Sequence, residues 1–180
     1  MKKIILDLCG GTGAWSKPYR DAGYDVRLVT FPDNDVRTYK LPNEPIYGIL
    51  AAPPCTHLAG SGARWWKQKG NEVLLESLAI ADACLRIITL TKPLFWALEN
   101  PVGRLSRFYG KPTMSFHPFE FGDPYQKRTL LWGKFNKPIK NPVEPTEGQK
   151  IWKMAPSEKR QELRSITPSG FALAFFASNK

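Results

Sequence analysis

Cysteine and histidine are scarce in this 180-residue chain, with three of the first and two of the second. Cys9, Cys55 and Cys84 lie far apart and form no C-x-x-C pair, which argues against a disulfide framework. His57 and His117 do not complete a zinc-ligand pattern with them, so no metal site is expected. Each cysteine stands alone, as inert core or as a reactive thiol. Long apolar runs are also missing: none approaches the roughly 20 residues that span a bilayer. The opening Met1 to Asp7 reads as a short strand with an acidic end rather than a secretory segment. A cytoplasmic protein with no membrane partner is expected. Acidic residues are the third deficit, with 16 Asp and Glu against 26 Lys and Arg and a formal charge of +10. Residues 1–90 carry 11 basic and 9 acidic side chains and residues 91–180 carry 15 and 7, so the second half holds +8 of the excess. A basic half fits an anionic partner, nucleic acid first, or else a solvated face.

At this length the chain is one domain, residues 1–180, burying roughly two-thirds of its unfolded surface. Its first part alternates strand and helix. Lys3 to Leu8 is an apolar run that breaks at Gly10-Gly11-Thr12-Gly13, and Trp15 to Asp21 has helical spacing and stops at Gly23. Asp25 to Phe31 and Tyr47 to Ala52 are further strands. Asn71 is placed to cap a long helix with Leu74, Leu78, Ala81, Leu85 and Ile88 on one stripe. Pro93 ends that helix, and Leu94 to Leu98 is another buried strand. This alternation predicts an α/β fold, a mostly parallel sheet with helices on both faces. Ser115 to Phe121 and Thr129 to Trp132 read as short strands joined through Gly122-Asp123-Pro124. A basic, proline-punctuated loop region follows at about 134–156. Thr167-Pro168 carries a helix-start signature for a last helix over Phe171 to Ala177.

Three segments fall at strand ends. Asp7-Leu8-Cys9-Gly10-Gly11-Thr12-Gly13 is a glycine turn between a first strand and a helix, where backbone can approach a nucleotide-like cofactor. It lacks the G-x-G-x-x-G pattern of a nicotinamide site. A ligand-free tight turn would read the same way. Pro53-Pro54-Cys55 follows a buried strand, where two prolines stiffen the backbone and present the thiol toward the crevice as a nucleophile. A buried cysteine in a rigid turn is the plainer reading. Glu99-Asn100-Pro101 ends the strand that begins near Leu94. A carboxylate there is partly desolvated, which raises its pKa and lets it hold a proton, although a loop ion pair is common for such a residue.

Taken together and in this order, the three segments resemble the cofactor turn, Pro-Cys loop and Glu-Asn loop of the DNA cytosine-5 methyltransferases. Gln126-Lys127-Arg128-Thr129 is similar to that family's Gln-x-Arg-x-Arg strand, with Leu130 where its second Arg would stand. The likeness covers most of residues 3–133 and suggests a small, phage-like form, of a bacterium or a phage-infected cell, with the 134–156 loop in place of a full target-recognition domain. Cys9, Ala14 and Pro101 depart from the family's aromatic, glycine and valine. The resemblance implies a Rossmann-like S-adenosylmethionine methyltransferase fold, with S-adenosyl-L-methionine as cofactor and DNA as the first substrate. It implies cofactor contacts at Asp7, Gly11, Thr12, Gly13, Asp35 and Pro53, catalytic roles for Cys55, Glu99 and Arg128, and substrate contacts at Pro54, Asn100 and Gln126.

The chemistry explains these residue types. C5 of cytosine is a poor nucleophile until a thiolate adds at C6 and pushes electron density onto it. A carboxylic acid at N3, the role of Glu99, relieves that charge. Arg128 would stabilise O2, and a base inside a duplex would first flip out. Other readings stay open. An amino-methyltransferase acting on cytosine N4 or adenine N6 would place an aromatic residue after Pro-Pro, where Cys55 stands. A catalytically silent, basic nucleic-acid-binding protein could keep the scaffold, and the substrate could be RNA, single-stranded DNA or a free nucleotide.

Overall fold

A computed structural model describes residues 2–155, 157 and 160–180; Pro156, the last residue of the expected basic loop, lies outside them. The chain builds one six-stranded sheet in the order β2-β1-β3-β4-β6-β5. The strands are β1 (Ile4–Leu8), β2 (Asp25–Val29), β3 (Ile46–Ala51), β4 (Phe95–Pro101), β5 (Met114–Phe116) and β6 (Thr129–Lys134), and the helices α1 (Lys17–Asp21), α2 (Trp66–Lys69), α3 (Glu72–Thr91), α4 (Leu105–Tyr109), α5 (Lys150–Lys153), α6 (Arg160–Ser165) and α7 (Ser169–Ser178). The first four run parallel. The sixth is antiparallel to β4 and pairs with β5.

Alternation along the strands divides the core between the two faces. Ile4, Leu6, Leu8, Ile49, Leu98 and Trp132 pack on one side with Ala81, Cys84, Ile87 and Ile88 of α3 (Glu72–Thr91). Ile5, Leu50, Phe95, Ala97 and Leu131 pack on the other with Trp15, Tyr19, Phe171 and Phe175. That second layer is carried by α1 (Lys17–Asp21) and α7 (Ser169–Ser178), which touch each other. Its rings interlock, Phe116 stacking on Phe171 with centroids 4.0 Å apart. Helices on both faces of a mostly parallel sheet are the architecture that the sequence pattern predicted.

The differences are local. Asn71 precedes α3 but its side chain caps nothing, because its backbone is already helical. The buried stripe of α3 runs through Ser77, Ala81, Cys84 and Ile88, while Leu74, Leu78 and Leu85 flank it half-buried. β5 stops at Phe116, since Pro118 opens a 3-10 turn over Pro118–Phe121. Thr167 does not cap α7. The Asp123 carboxylate comes from 47 residues away to accept from the Gly170 amide at 2.9 Å. Residues 135–149 form no helix or strand, and α5 (Lys150–Lys153) and α6 (Arg160–Ser165) are short. The loop is held in place by backbone: the Asn141 and Val143 amides donate to Glu120 and Phe119, and that of Gln126 to Gly148. No helix among the described residues is long and apolar enough to cross a membrane.

Candidate active site

The strand order reverses at β1, with β2 on one side and β3 on the other. Ligands of open α/β sheets bind at such a switch point, beyond the carboxyl ends of the strands. Register fixes what meets there: Leu8 lies beside Ala51, Ala51 beside Leu98, and Pro101 beside Thr129. The turn after β1, the Pro-Cys loop after β3, the Glu-Asn end of β4 and the Gln126–Arg128 entry to β6 therefore share one edge.

The glycine turn is built over a buried acid. Asp7 is fully enclosed, and its Oδ2 accepts from the Ser16 hydroxyl at 2.5 Å while Oδ1 finds no partner among the described residues. A methyl group at Gly10 would lie 2.2 Å from that carboxylate, so only glycine lets the chain cross it. Gly11 and Gly13 take positive φ of 54° and 70°, and Cys9 shares that left-handed geometry at 57°. Gly11 and Thr12 are exposed at the tip, with the Gly11 amide donating to Thr30 Oγ1 at 3.3 Å. Such a bare backbone turn leaves Gly11, Thr12 and Gly13 as the residues able to hold a cofactor there. Asp35, in the loop after β2, is paired with Arg37 at 2.6 Å, which holds its carboxyl below the usual range.

Burial pushes the Asp7 pKa up to about 6 from 3.8, against the Ser16 hydrogen bond and the charge of Arg20. The folded state then binds this proton more tightly than the unfolded chain. The resulting stability is present below about pH 4 and is lost as pH rises through about 6. Asp7→Asn, which carries no charge, should gain on wild type by roughly 3 kcal/mol between pH 4 and 7. Urea unfolding of both proteins across that range checks this, and a constant difference would show that Asp7 does not titrate with folding.

Pro53 is buried, and its carbonyl accepts from Asn100 Nδ2 at 3.0 Å, tying the Pro-Cys loop to the Glu-Asn loop. Asn100 Oδ1 is buried without a partner among the described residues. Pro54 is exposed and Cys55 half-buried. Beyond Cys55 the chain is zipped to the segment after Glu99. Ala59 bridges Gly103, the Gly60 amide donates to Val102 at 2.7 Å, and that of Arg104 donates to Leu58 at 2.8 Å.

Two raised pKa values mark this edge. Burial pushes the Glu99 carboxyl up, opposed by the charge of Lys127. Burial also pushes the Cys55 thiol up and the Glu99 carboxylate adds to this, while Lys127 and Arg164 draw it down. Thiol, carboxyl and two cations thus share one site. The basic residue beside both groups is Lys127, whose ammonium donates to the Arg164 carbonyl at 3.0 Å. Arg128 is exposed, and its charge acts on His117 instead. Gln126 is half-buried and anchored by its amide to Gly148. Sequence reasoning missed Lys127 and Arg164. Alternation from β6 offered no sign of the first, and the second lies 109 residues from Cys55, brought in by tertiary packing alone. Among the described residues no group of three or more Cys, His, Asp or Glu is placed to hold a metal.

The sequence matches no protein-family model and no curated protein. Among solved structures, the chain is similar to a prophage-encoded protein of E. coli described as a DNA modification methyltransferase. Identity is 19% and the TM-score 0.52, over 88% of this chain and 50% of that one. The chain therefore spans half the length of that protein. At this identity the likeness is one of fold, and this chain has a Rossmann-like α/β fold in common with that protein.

Proposed function

We propose that the protein transfers a methyl group from S-adenosyl-L-methionine to C5 of cytosine in nucleic acid, DNA first. The observation that carries this reading is that the Pro53–Cys55 loop and the Glu99–Asn100 strand end are tied together on the carboxyl edge of the sheet, where burial raises the Glu99 carboxyl and the charge of Glu99 reaches the Cys55 thiol. An amino-methyltransferase has no use for a thiol at that place. The likeness in fold to a protein described as a DNA modification methyltransferase supports the same class.

The Gly11-Thr12-Gly13 cradle, with Asp7 fixing it from below, would hold the cofactor, and Pro53 would border it. When bound, the cofactor supplies an electrophilic methyl group. Cys55 would give its proton to solvent and its thiolate sulfur bond to C6 of the ring, while the C5–C6 π pair moves to C5, the atom that takes the methyl group. Glu99, raised in pKa by burial, would share a proton with N3, which relieves the charge on the ring. Lys127 stabilises the thiolate and offers the positive charge near O2 that the sequence assigned to Arg128. Arg128, on the exposed side, would meet backbone phosphate, alongside Gln126. Asn100 holds Pro53 and thereby the approach of Cys55, while Pro54 borders the base. Loss of the C5 proton to solvent would then restore the C5–C6 double bond and release Cys55 as the thiolate.

Incubation with methyl-labelled cofactor and cytosine-containing DNA, RNA and nucleotides, followed by digestion to nucleosides, tests this. Labelled 5-methylcytosine is expected. Label on N4 of cytosine or N6 of adenine, or no cofactor binding by calorimetry, would overturn it.

A further inference from the structure

The segment beyond β6 reaches back to the thiol. A cavity of about 260 Å³ opens between the loop that follows Cys55 and helices α5 and α6, lined by Ser61, Arg64, Trp152, Arg160 and Arg164. Three of its five walls are guanidinium groups, and none of the three forms an ion pair among the described residues. Arg160 Nε is buried with no hydrogen-bond partner among the described residues. Leaving a buried charged donor unpaired is costly unless an acceptor comes to it. The planar guanidinium fork matches the oxygens of a phosphate. The cavity is smaller than the ~300–1,000 Å³ sites of drug-sized ligands, which suits a small polyanionic group.

Position gives the cavity its meaning. Arg164 lines it and also draws down the pKa of Cys55, and its carbonyl receives Lys127. Arg164 thus lines the cavity while its charge reaches Cys55, and Ser61 and Arg64 on the opposite wall follow Cys55 in the chain. Trp152, 63% exposed, offers a flat aromatic face among the lining residues. A second hollow, lined by Trp66, Arg104 and Arg107 among others, has its Arg104 4.1 Å over Trp66, as Arg64 here lies 5.1 Å over Trp65, but it holds no buried guanidinium nitrogen without a partner among the described residues.

We propose that the Arg64–Arg160–Arg164 cavity is a nucleotide-phosphate site, gripping the phosphate of the nucleotide whose base lies against Cys55. This rests on the cytosine reading for the base, but the phosphate contact is independent of what happens to the ring. The phosphate is a monoester if the substrate is a free nucleotide and a diester if it is a strand. In both cases Arg160 and Arg164 make the second half of the chain part of the substrate pocket rather than a basic coat around it.

Calorimetric titration of the whole protein with deoxycytidine, deoxycytidine monophosphate and a short single-stranded oligonucleotide tests the proposal. At least one phosphate-bearing ligand is expected to bind tenfold or more tightly than deoxycytidine. Arg64→Gln and Arg160→Gln should each remove most of that preference, Arg160→Lys should keep part of it, and Arg107→Gln in the other hollow should keep it all. A preference for the monophosphate identifies the free nucleotide as the source, and a preference for the oligonucleotide alone identifies the strand. Melting curves of the variants separate lost binding from lost folding, and Arg164→Gln provides a further variant should one of the others unfold. Equal binding of nucleoside and phosphate-bearing ligands, or full preference in folded arginine variants, overturns the site. The same titrations with deoxyadenosine and its monophosphate separate the two ideas. A phosphate preference confined to adenine nucleotides would defeat the cytosine reading and leave the phosphate site standing.

Discussion

Cys55→Ala is expected to lower methyl transfer by at least three orders of magnitude, about 4 kcal/mol in barrier terms, while binding of the demethylated cofactor is kept. The reasoning is that only addition of the thiolate at C6 makes C5 reactive, and no other described cysteine is at hand: Cys84 is buried under the sheet and Cys9 lies in the cofactor turn. Placing 5-fluorocytosine in the substrate should trap wild type as a stable covalent adduct, because fluorine cannot leave as a cation. The alanine variant should form none. The pH dependence has a definite sign. The thiol is raised by burial and by Glu99, so it rests protonated at neutral pH, and its alkylation by iodoacetamide, which needs only the thiolate, should climb as pH rises. Lys127→Met removes a charge that draws the thiol down, so its alkylation by iodoacetamide at pH 8 should slow. An active alanine variant, or methylation on an exocyclic nitrogen, would end the C5 reading.

Alternation was the legible part of this chain. The runs at β1, β3 and β4 are apolar on both faces, which reads as a parallel sheet covered on both sides, and the structure divides Ile4 from Ile5 and Leu50 from Ala51 accordingly. Each candidate segment came at the end of such a run, so their gathering on one edge followed from topology. What sequence could not carry was set by contacts between distant residues. Pro118 cut β5 short, and Asp123 rather than Thr167 meets the first turn of α7. Lys127 rather than its neighbour faces Glu99, because residues 126–128 are pinned by Gly148 and the Arg164 carbonyl before β6 begins. A family motif fixes spacing, but which side of an irregular segment points inward is decided by what the segment is tied to.

Gly103→Ala is the second change expected to have a large effect, at a residue with no chemistry of its own. A methyl group there would lie 2.0 Å from the Leu58 carbonyl oxygen and 2.9 Å from both Ala59 Cα and Gly60 N. All three are backbone atoms, and none can swing aside as a side-chain tip would. The two segments must part, and with them go the Ala59–Gly103 bridge and the flanking hydrogen bonds at 2.7 and 2.8 Å. Those contacts set the loop carrying Cys55 against the strand end carrying Glu99. Overpacking of this kind costs about 1–3 kcal/mol, which lowers the melting temperature by roughly 2–4 °C per kcal/mol for a chain of this size. The rate should suffer more than the stability. A displacement of about 1 Å between reacting groups costs on the order of a hundredfold, so kcat should fall by about that factor. Cofactor binding at the Gly10–Gly13 turn, which belongs to β1, should change little. Gly62→Ala is the control: its added methyl would meet only the Thr56 carbonyl oxygen at 3.9 Å, so melting and rate should stay near wild type. Melting curves and steady-state rates of the two variants decide the matter. If Gly103→Ala keeps both the wild-type melting temperature and the wild-type kcat, the zipper between the two loops does not position the thiol against the acid.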